Sequence, residues 1–351
     1  MLKNAEQELE TAIMEAKTGT RLKNDLEESL RNLKSSVTGE PITVTQFKKF
    51  QGEGRTNKFV ICSIQEAKEI LKGMLEGRHT LLLPLLVSPS PKETSQDRIN
   101  FLELVNDIRS IAHADVFDSG KPNTTREPER MEGSEAMRRL LSSKEPPINM
   151  LNEPICGERP SFPPAEDLEG DLNDLNLLRR IYSEVEKLGK TLPTDLVDST
   201  EKLLAGSRFA VSSWHIDYLH LLTTVRVENG AAFWLMCPGM SLEEVENFVV
   251  QPPGVLHFVI KYLATLISCW MRWCTHSIPN ILEQVQLELR HPDITNQGMP
   301  TGFVPVMEEI LSRWARNDKG WQWPDKQYFT ESLSQFEVRI PVQTHYIQLT
   351  A

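Results

Sequence analysis

The sequence predicts a mixed α+β protein, with a strand-rich middle flanked by helical ends. Residues 208–260 break into short runs of β-branched and aromatic residues separated by turn formers, the pattern of successive strands. The first 36 residues are rich in Glu, Lys, Leu and Ala, with leucines at helical spacing. Residues 277–290 and 305–316 carry the same amphipathic spacing. The expected organisation is a helical N-terminal region at 1–78, a β domain at 79–276 and a helical C-terminal region at 277–351.

In order along the chain, Leu2, Leu9 and Ile13 form one helical stripe, and Leu22, Leu26, Leu30 and Leu33 form another. Thr18-Gly19-Thr20 interrupts them, so two helices are expected rather than one long coil. Residues 41–60 read as loop and strand, with Lys48, Lys49, Arg55 and Lys58 as a solvated basic face. Ser63 with Glu66 three residues on is a capping box, opening a helix to Leu75. The apolar run Thr80–Val87 reads as a buried strand split by Pro84, and Asp97–Ala112 as a helix. Asp115–Pro128 is polar and reads as a surface loop. Met131–Ser143 reads as a short helix, and Pro146–Pro164 as an extended crossing segment. Glu166, Asp167, Glu169, Asp171 and Asp174 form an acidic patch before a helix ending near Leu188, where negative charge favours a helix N-terminus. Beyond the second C-terminal helix, Phe336–Val342 alternates like a strand. Trp314, Trp321 and Trp323 read as packing residues.

Composition narrows the function classes. A formal charge of −11 over 351 residues argues against sequence-independent nucleic-acid binding, which needs a basic footprint. Cysteines 62, 156, 237, 269 and 274 are odd in number and scattered, so they suggest no disulfide framework. The N-terminus begins with charged helix formers and has no apolar signal core. An intracellular protein, in nucleus or cytoplasm, is therefore expected. The run Phe258–Trp273 contains Lys261 and Arg272 and falls short of the roughly 20 residues that span a membrane. Motifs for serine-hydrolase elbows, phosphate loops and H-E-x-x-H metalloproteases are absent from the sequence.

The motif with chemistry is Ser212-Ser213-Trp214-His215-Ile216-Asp217, followed some forty residues later by His257 in Pro252-Pro253-Gly254-Val255-Leu256-His257. On an extended strand, a His and an Asp two apart share a face. Two imidazoles and one carboxylate make a facial triad, which leaves three metal positions open. The structural alternative is His215 capping a strand, Asp217 opening a turn and His257 buried in an apolar edge.

With the hairpin signal at Asn229-Gly230 and the strand Ala231–Met236, this order of motifs resembles the JmjC family, particularly its fungal members. The resemblance extends upstream through Ala114–Asp118, Arg130–Ala136 and Pro146–Asn152, and so covers roughly Leu81–His257. It implies a double-stranded β-helix, a jelly-roll or cupin-like barrel, between the helical regions. It also implies an Fe(II)- and 2-oxoglutarate-dependent oxygenase with iron on His215, Asp217 and His257. The expected substrate is a protein, such as a histone or another basic protein, either hydroxylated or demethylated at methyl-lysine.

The distal carboxylate of 2-oxoglutarate needs a buried cation and a hydroxyl. Ser212 and Thr223 are the candidate hydroxyls, and Arg226 is a candidate for the charge, although on a regular strand it faces away from Thr223. The family's lysine position, two after Gly230, is occupied by Ala232. That departure keeps a second function open, a JmjC-like pseudoenzyme acting as a protein-binding module. A third is a helical interaction protein whose barrel resemblance is accidental. Ser268–Cys274 occupies the place of the strand that closes fungal members, and the connection from Trp234 to His257 is short.

Overall fold

The computed structural model describes residues 2–35, 39–50, 57–75, 83–88, 105–106, 112–118, 128–142, 144–154, 177–198, 200–212, 219, 222–230, 232–234, 257–259, 264–272, 278–291, 295 and 299–316. Helices and sheets are mixed, as the patterning predicts. The acidic patch at 166–174, the strand expected at 336–342, Trp321, Trp323 and most of the helix expected at 97–112 lie outside these residues.

The N-terminal stripes form α1 (Leu2–Glu15) and α2 (Arg21–Ser35). They separate at Gly19, whose φ of +81° is a backbone conformation that glycine alone adopts without a Cβ penalty. Leu9, Ala12, Leu26 and Leu33 are buried in the seam between them. The exposed Lys34–Glu10 pair, 2.8 Å apart, adds little to that burial.

A small sheet follows, with β1 (Glu40–Ile42), β2 (Lys58–Ser63) and β3 (Leu85–Ser88) all parallel in that order. Parallel neighbours need crossovers, and α3 (Val44–Phe47) and α4 (Ile64–Leu75) lie in them. The capping box is present at α4. The Glu66 amide donates to Ser63 Oγ at 3.3 Å, and the Ser63 amide to Glu66 Oε2 at 2.9 Å. Those bonds from Ser63 hold the Glu66 carboxyl below its ordinary pKa. Ile42, Val60, Cys62, Ala67, Ile70, Leu71 and Leu83 bury one face of the sheet. Pro84 marks the break in the apolar run as expected and β3 begins just after it, but β3 is not the buried strand expected there, since Leu86 is exposed.

The other strands are β4 (Ala114–Asp118), β5 (Glu129–Met131), β6 (Ile148–Pro154), β7 (Glu201–Ser207), β8 (Val211–Ser212), β9 (Leu222–Asn229), β10 (Ala232–Trp234), β11 (His257–Val259) and β12 (Ala264–Arg272). They form one antiparallel sheet in the order β5-β4-β6-β7-β12-β9 and a second in the order β10-β11-β8. From β7 to β10, consecutive strands therefore alternate between the two sheets. The pairings are nested as well. β7 pairs with β12 and β8 with β11, while β9 and β10 add to the far sides of β12 and β11.

Two local expectations change. The segment expected as a loop from Asp115 begins as β4, because Ala114 and Val116 are buried while Asp115 is exposed, the alternation of a half-buried strand. Asn229-Gly230 does turn the chain, with Gly230 at φ +88°. It does not close a hairpin: β9 takes its ladder from β12 and β10 from β11, so the turn carries the chain between sheets.

One face of β7 packs Leu203 and Ala205 with Val116, Ile148 and Met150 beneath α5 (Gly133–Leu140), which contributes Ala136, Met137 and Leu140. Arg139 in the last turn of α5 pairs with Asp118 at 2.8 Å, both largely buried. The turn after β7 carries Phe209 at φ +66°, packed on the α1–α2 seam, with the Arg208 guanidinium 4.8 Å from its ring centre. Arg208 also meets Glu8 at 3.4 Å, so the N-terminal helix pair is tied to the turn that leads into β8.

A larger core joins α6 (Leu177–Lys187), α7 (Asp195–Asp198), α8 (Ile278–Arg290) and α9 (Phe303–Ala315) with the isolated residue Leu219. It draws residues from both sides of position 277. Arg313 on α9 ties to Glu184 on α6 and, at 2.9 Å, to Glu309 on its own helix. Asp195 reaches across to the start of α9, accepting from the Thr301 hydroxyl at 2.7 Å and from the Thr301 and Gly302 amides at 2.5 and 2.9 Å. Gly302 is required at this approach, since a Cβ there would meet Asp195 Oδ1 at 2.6 Å and Pro193 O at 2.9 Å.

Burial pushes the Asp195 carboxyl up, but the hydrogen bonds from Thr301, Gly302 and Leu196 outweigh it and leave its pKa lowered. A lowered folded pKa means that the unfolded chain binds more protons in the window between the two values, so stability rises with pH there. The contribution is present above the ordinary aspartate pKa and disappears as pH falls through the lowered value. Asp195→Ala is expected to cost about 1 kcal/mol at neutral pH, a typical cap loss, and almost nothing in strong acid. Urea denaturation of both proteins between neutral and acidic pH measures the convergence.

Candidate functional site

The second sheet brings the predicted residues together by register. His257 on β11 lies opposite Ser212 on β8 and Trp234 on β10, and Val259 lies opposite Ala232. Directly opposed residues share a face and residues two apart share it too. Ser212, Ala232, Trp234, His257 and Val259 therefore occupy register positions on one face of this sheet. Opposed Cα atoms in an antiparallel pair are about 4.5–5.5 Å apart, which places the distal histidine beside the strand entering the His-x-Asp motif.

His215 and Asp217 lie outside the described residues, in a six-residue segment bounded by Ser212 and Leu219. The chain limits how far they can be. At about 3.3–3.6 Å per extended residue, the His215 Cα is within about 11 Å of the Ser212 Cα. Strand parity adds a condition. A regular continuation of β8 would turn position 215 to the face opposite Ser212 and His257, so convergence of the three ligands requires a departure from regular alternation, as in a bulge. Among the described residues no group of three or more His, Cys, Asp or Glu is placed to hold a metal, and two of the three predicted ligands are not among them.

The predicted hydroxyls separate. Ser212 is in the second sheet, while Thr223 is half-buried on β9 in the six-stranded sheet, opposite Met271. Thr223 has a companion that the motifs did not reveal. Lys202 on β7 is 2% exposed and lies opposite Cys269, which lies opposite Val225. Lys202, Val225 and Thr223 are thus register positions on one face, two strands apart. Lys202 is a buried cation on the face of the six-stranded sheet that carries Thr223.

The exit of the segment is also held. Leu219 is fully buried in the helical core and adopts φ +56°. Its amide donates to Glu288 Oε1 at 2.7 Å, and Gln284 Nε2 donates to the same oxygen at 2.6 Å. Burial raises the Glu288 pKa, and the bonds from Gln284 and Leu219 oppose that rise. Nothing in the sequence distinguishes Glu288 from other acids of an amphipathic helix, because its burial depends on what α8 packs against.

No known family profile matches this chain, and no curated protein does. No helix among the described residues is long and apolar enough to cross a membrane.

Proposed function

We propose that the chain is a JmjC-like Fe(II)- and 2-oxoglutarate-dependent oxygenase acting on a protein. The observation that carries this is the register of β11 on β8. It sets His257 opposite Ser212, three residues before His215, although the two histidines are some forty residues apart in sequence. The alternation of β7, β8, β9 and β10 between two sheets, closed by β11 and β12, supports a double-stranded β-helix, since nested antiparallel pairs that switch sheets are how a jelly roll folds. Two neutral imidazoles and a carboxylate suit a borderline metal such as Fe(II) and leave coordination positions open.

His215, Asp217 and His257 hold the iron. Ser212 and Thr223 offer hydroxyl donors to the co-substrate's carboxylates. Iron with 2-oxoglutarate and O₂ supplies the oxidation of an unactivated C–H bond. The chain's own part is to fix donor geometry and pair the co-substrate's charge. The substrate is a protein side chain, hydroxylated or, at methyl-lysine, demethylated. A basic partner such as a histone suits the net charge of −11. The protein acts in the nucleus or cytoplasm, without direct nucleic-acid contact.

Ala232, opposite Val259 on β10, favours a second reading, a pseudoenzyme that binds proteins without turnover. Anaerobic Fe(II) titration followed by 2-oxoglutarate separates the two. The oxygenase shows a metal-to-ligand absorption band, which His257→Ala removes together with the iron. The pseudoenzyme shows iron without that band, and Ala232→Lys restores it. Installing or removing one buried charge partner is expected to change co-substrate affinity by about 10–100-fold.

A further inference from the structure

We infer that the outer edge of β3 is a self-association surface, through which two copies of the chain join their parallel sheets antiparallel about Leu86. The sheet β1-β2-β3 has two edges, and they are built differently. β1 carries Glu40 and Pro41, a charge and a missing N–H, both of which keep an edge from accepting another strand. β3 is Leu85-Leu86-Val87-Ser88, with no charge, no proline and an unbroken register on β2. Among the described residues, it takes its ladder bonds from β2 alone.

The side chains of β3 are open as well. Leu86 is 56% exposed and lies opposite Ile61, itself 43% exposed. On the other face Leu85 and Val87 are half-buried, although their partners on β2, Val60 and Cys62, are buried. Apolar cover therefore thins toward this edge on both faces, whereas parallel sheets are ordinarily covered on both.

The backbone fixes which groups face outward. Along a strand, one residue directs its N–H and C=O to one side and the next directs both to the other. The Val60 amide donates to Pro84 O at 2.9 Å, which turns the groups of Pro84 and Leu86 toward β2. Leu85 and Val87 therefore present theirs to the outer edge. About a twofold axis at Leu86, Leu85 of one copy lies opposite Val87 of the other, and each such pair exchanges both N–H···O bonds. Leu86 meets its own copy at the non-hydrogen-bonded position between them, where side chains are closest. A register centred on Val87 instead sets Leu85 against Pro89, which has no N–H to give. The strand is thus its own complement at Leu86. A four-residue edge buries less than the roughly 800 Å² per partner of a standard interface, so the dimer is weak and reversible.

The test is sedimentation equilibrium of the full chain at concentrations on the order of 10 μM to 1 mM, with circular dichroism as the folding check. Wild type is compared with Leu86→Lys, Leu86→Glu and Val87→Pro. The wild-type mass is expected to rise toward that of a dimer. Each charge variant alone stays monomeric, because position 86 faces itself, and an equimolar mixture of the two associates, because opposite charges then face each other. Val87→Pro stays monomeric, since it removes an outward N–H and leaves the bonds to β2 in place. Should it fail to fold, the charge variants decide, because the Leu86 side chain is exposed. A wild type that remains monomeric leaves the edge to a strand of some other protein and overturns the inference. Association that survives the charge variants, or a mixture of them that stays monomeric, overturns it too.

Discussion

If the proposed iron site is right, His257→Ala is expected to abolish stoichiometric Fe(II) binding, and His215→Ala to do the same, while His113→Ala is expected to leave it intact. Three protein donors make a site that two do not. If a metal's binding free energy is divided among its ligands, each contributes about 3 kcal/mol, a factor of more than 100 in affinity. His113 is exposed just before β4 and serves as the control for loss of an imidazole. The two site variants test different claims. His257 is held on β11 by pairs to β8 and β10, so its loss tests whether this sheet is the metal wall. His215 belongs to the segment between Ser212 and Leu219, so its loss tests whether that segment turns toward the same wall. Anaerobic titration with thermal denaturation as a folding check reads both. Undiminished iron binding in a folded His257→Ala protein would falsify the triad.

Local chemistry made much of this fold readable in advance. Ser63 and Glu66 announce α4 because the capping box lies within four residues. Thr18-Gly19-Thr20 separates α1 from α2 because a break in periodicity is local as well. The turn at Gly230 was also legible, but its meaning was not. Whether a turn closes a hairpin or carries the chain to another sheet depends on which strands fill each ladder. Here those partners are β12 and β11, more than twenty residues away.

The candidate site divides in the same way. The candidates His215, Asp217 and His257 come from an order of motifs that resembles the JmjC family, and the departure at Ala232 is visible only against that family's lysine. The buried charges of Lys202 and Glu288 are not legible in the same way, because each stands out only through its burial. Lys202 lies on a strand covered on both faces, and Glu288 lies on the face of α8 that meets Leu219. Burial of a charged group is decided by tertiary packing and leaves no mark in the local sequence.

Phe303→Ala is expected to destabilise the protein by about 3–5 kcal/mol, a large fraction of the roughly 5–15 kcal/mol that holds a typical domain folded. Phe303 is the first residue of α9 and is fully buried among residues of α6, α7 and α8. Around it, Asp195 bonds the two preceding residues and Gly302 has no room for a Cβ. The surroundings are therefore tied in place and cannot collapse into the space a phenyl ring leaves, which puts the cost toward the upper part of the range.

Val304, only partly buried at the next position, is the comparison. Its truncation to alanine should cost much less, because partial exposure leaves less apolar surface to lose. Urea denaturation measures both. If Phe303→Ala costs no more than Val304→Ala, then α8 and α9 do not share a core with α6. In that case the core would not hold Leu219 from the C-terminal side.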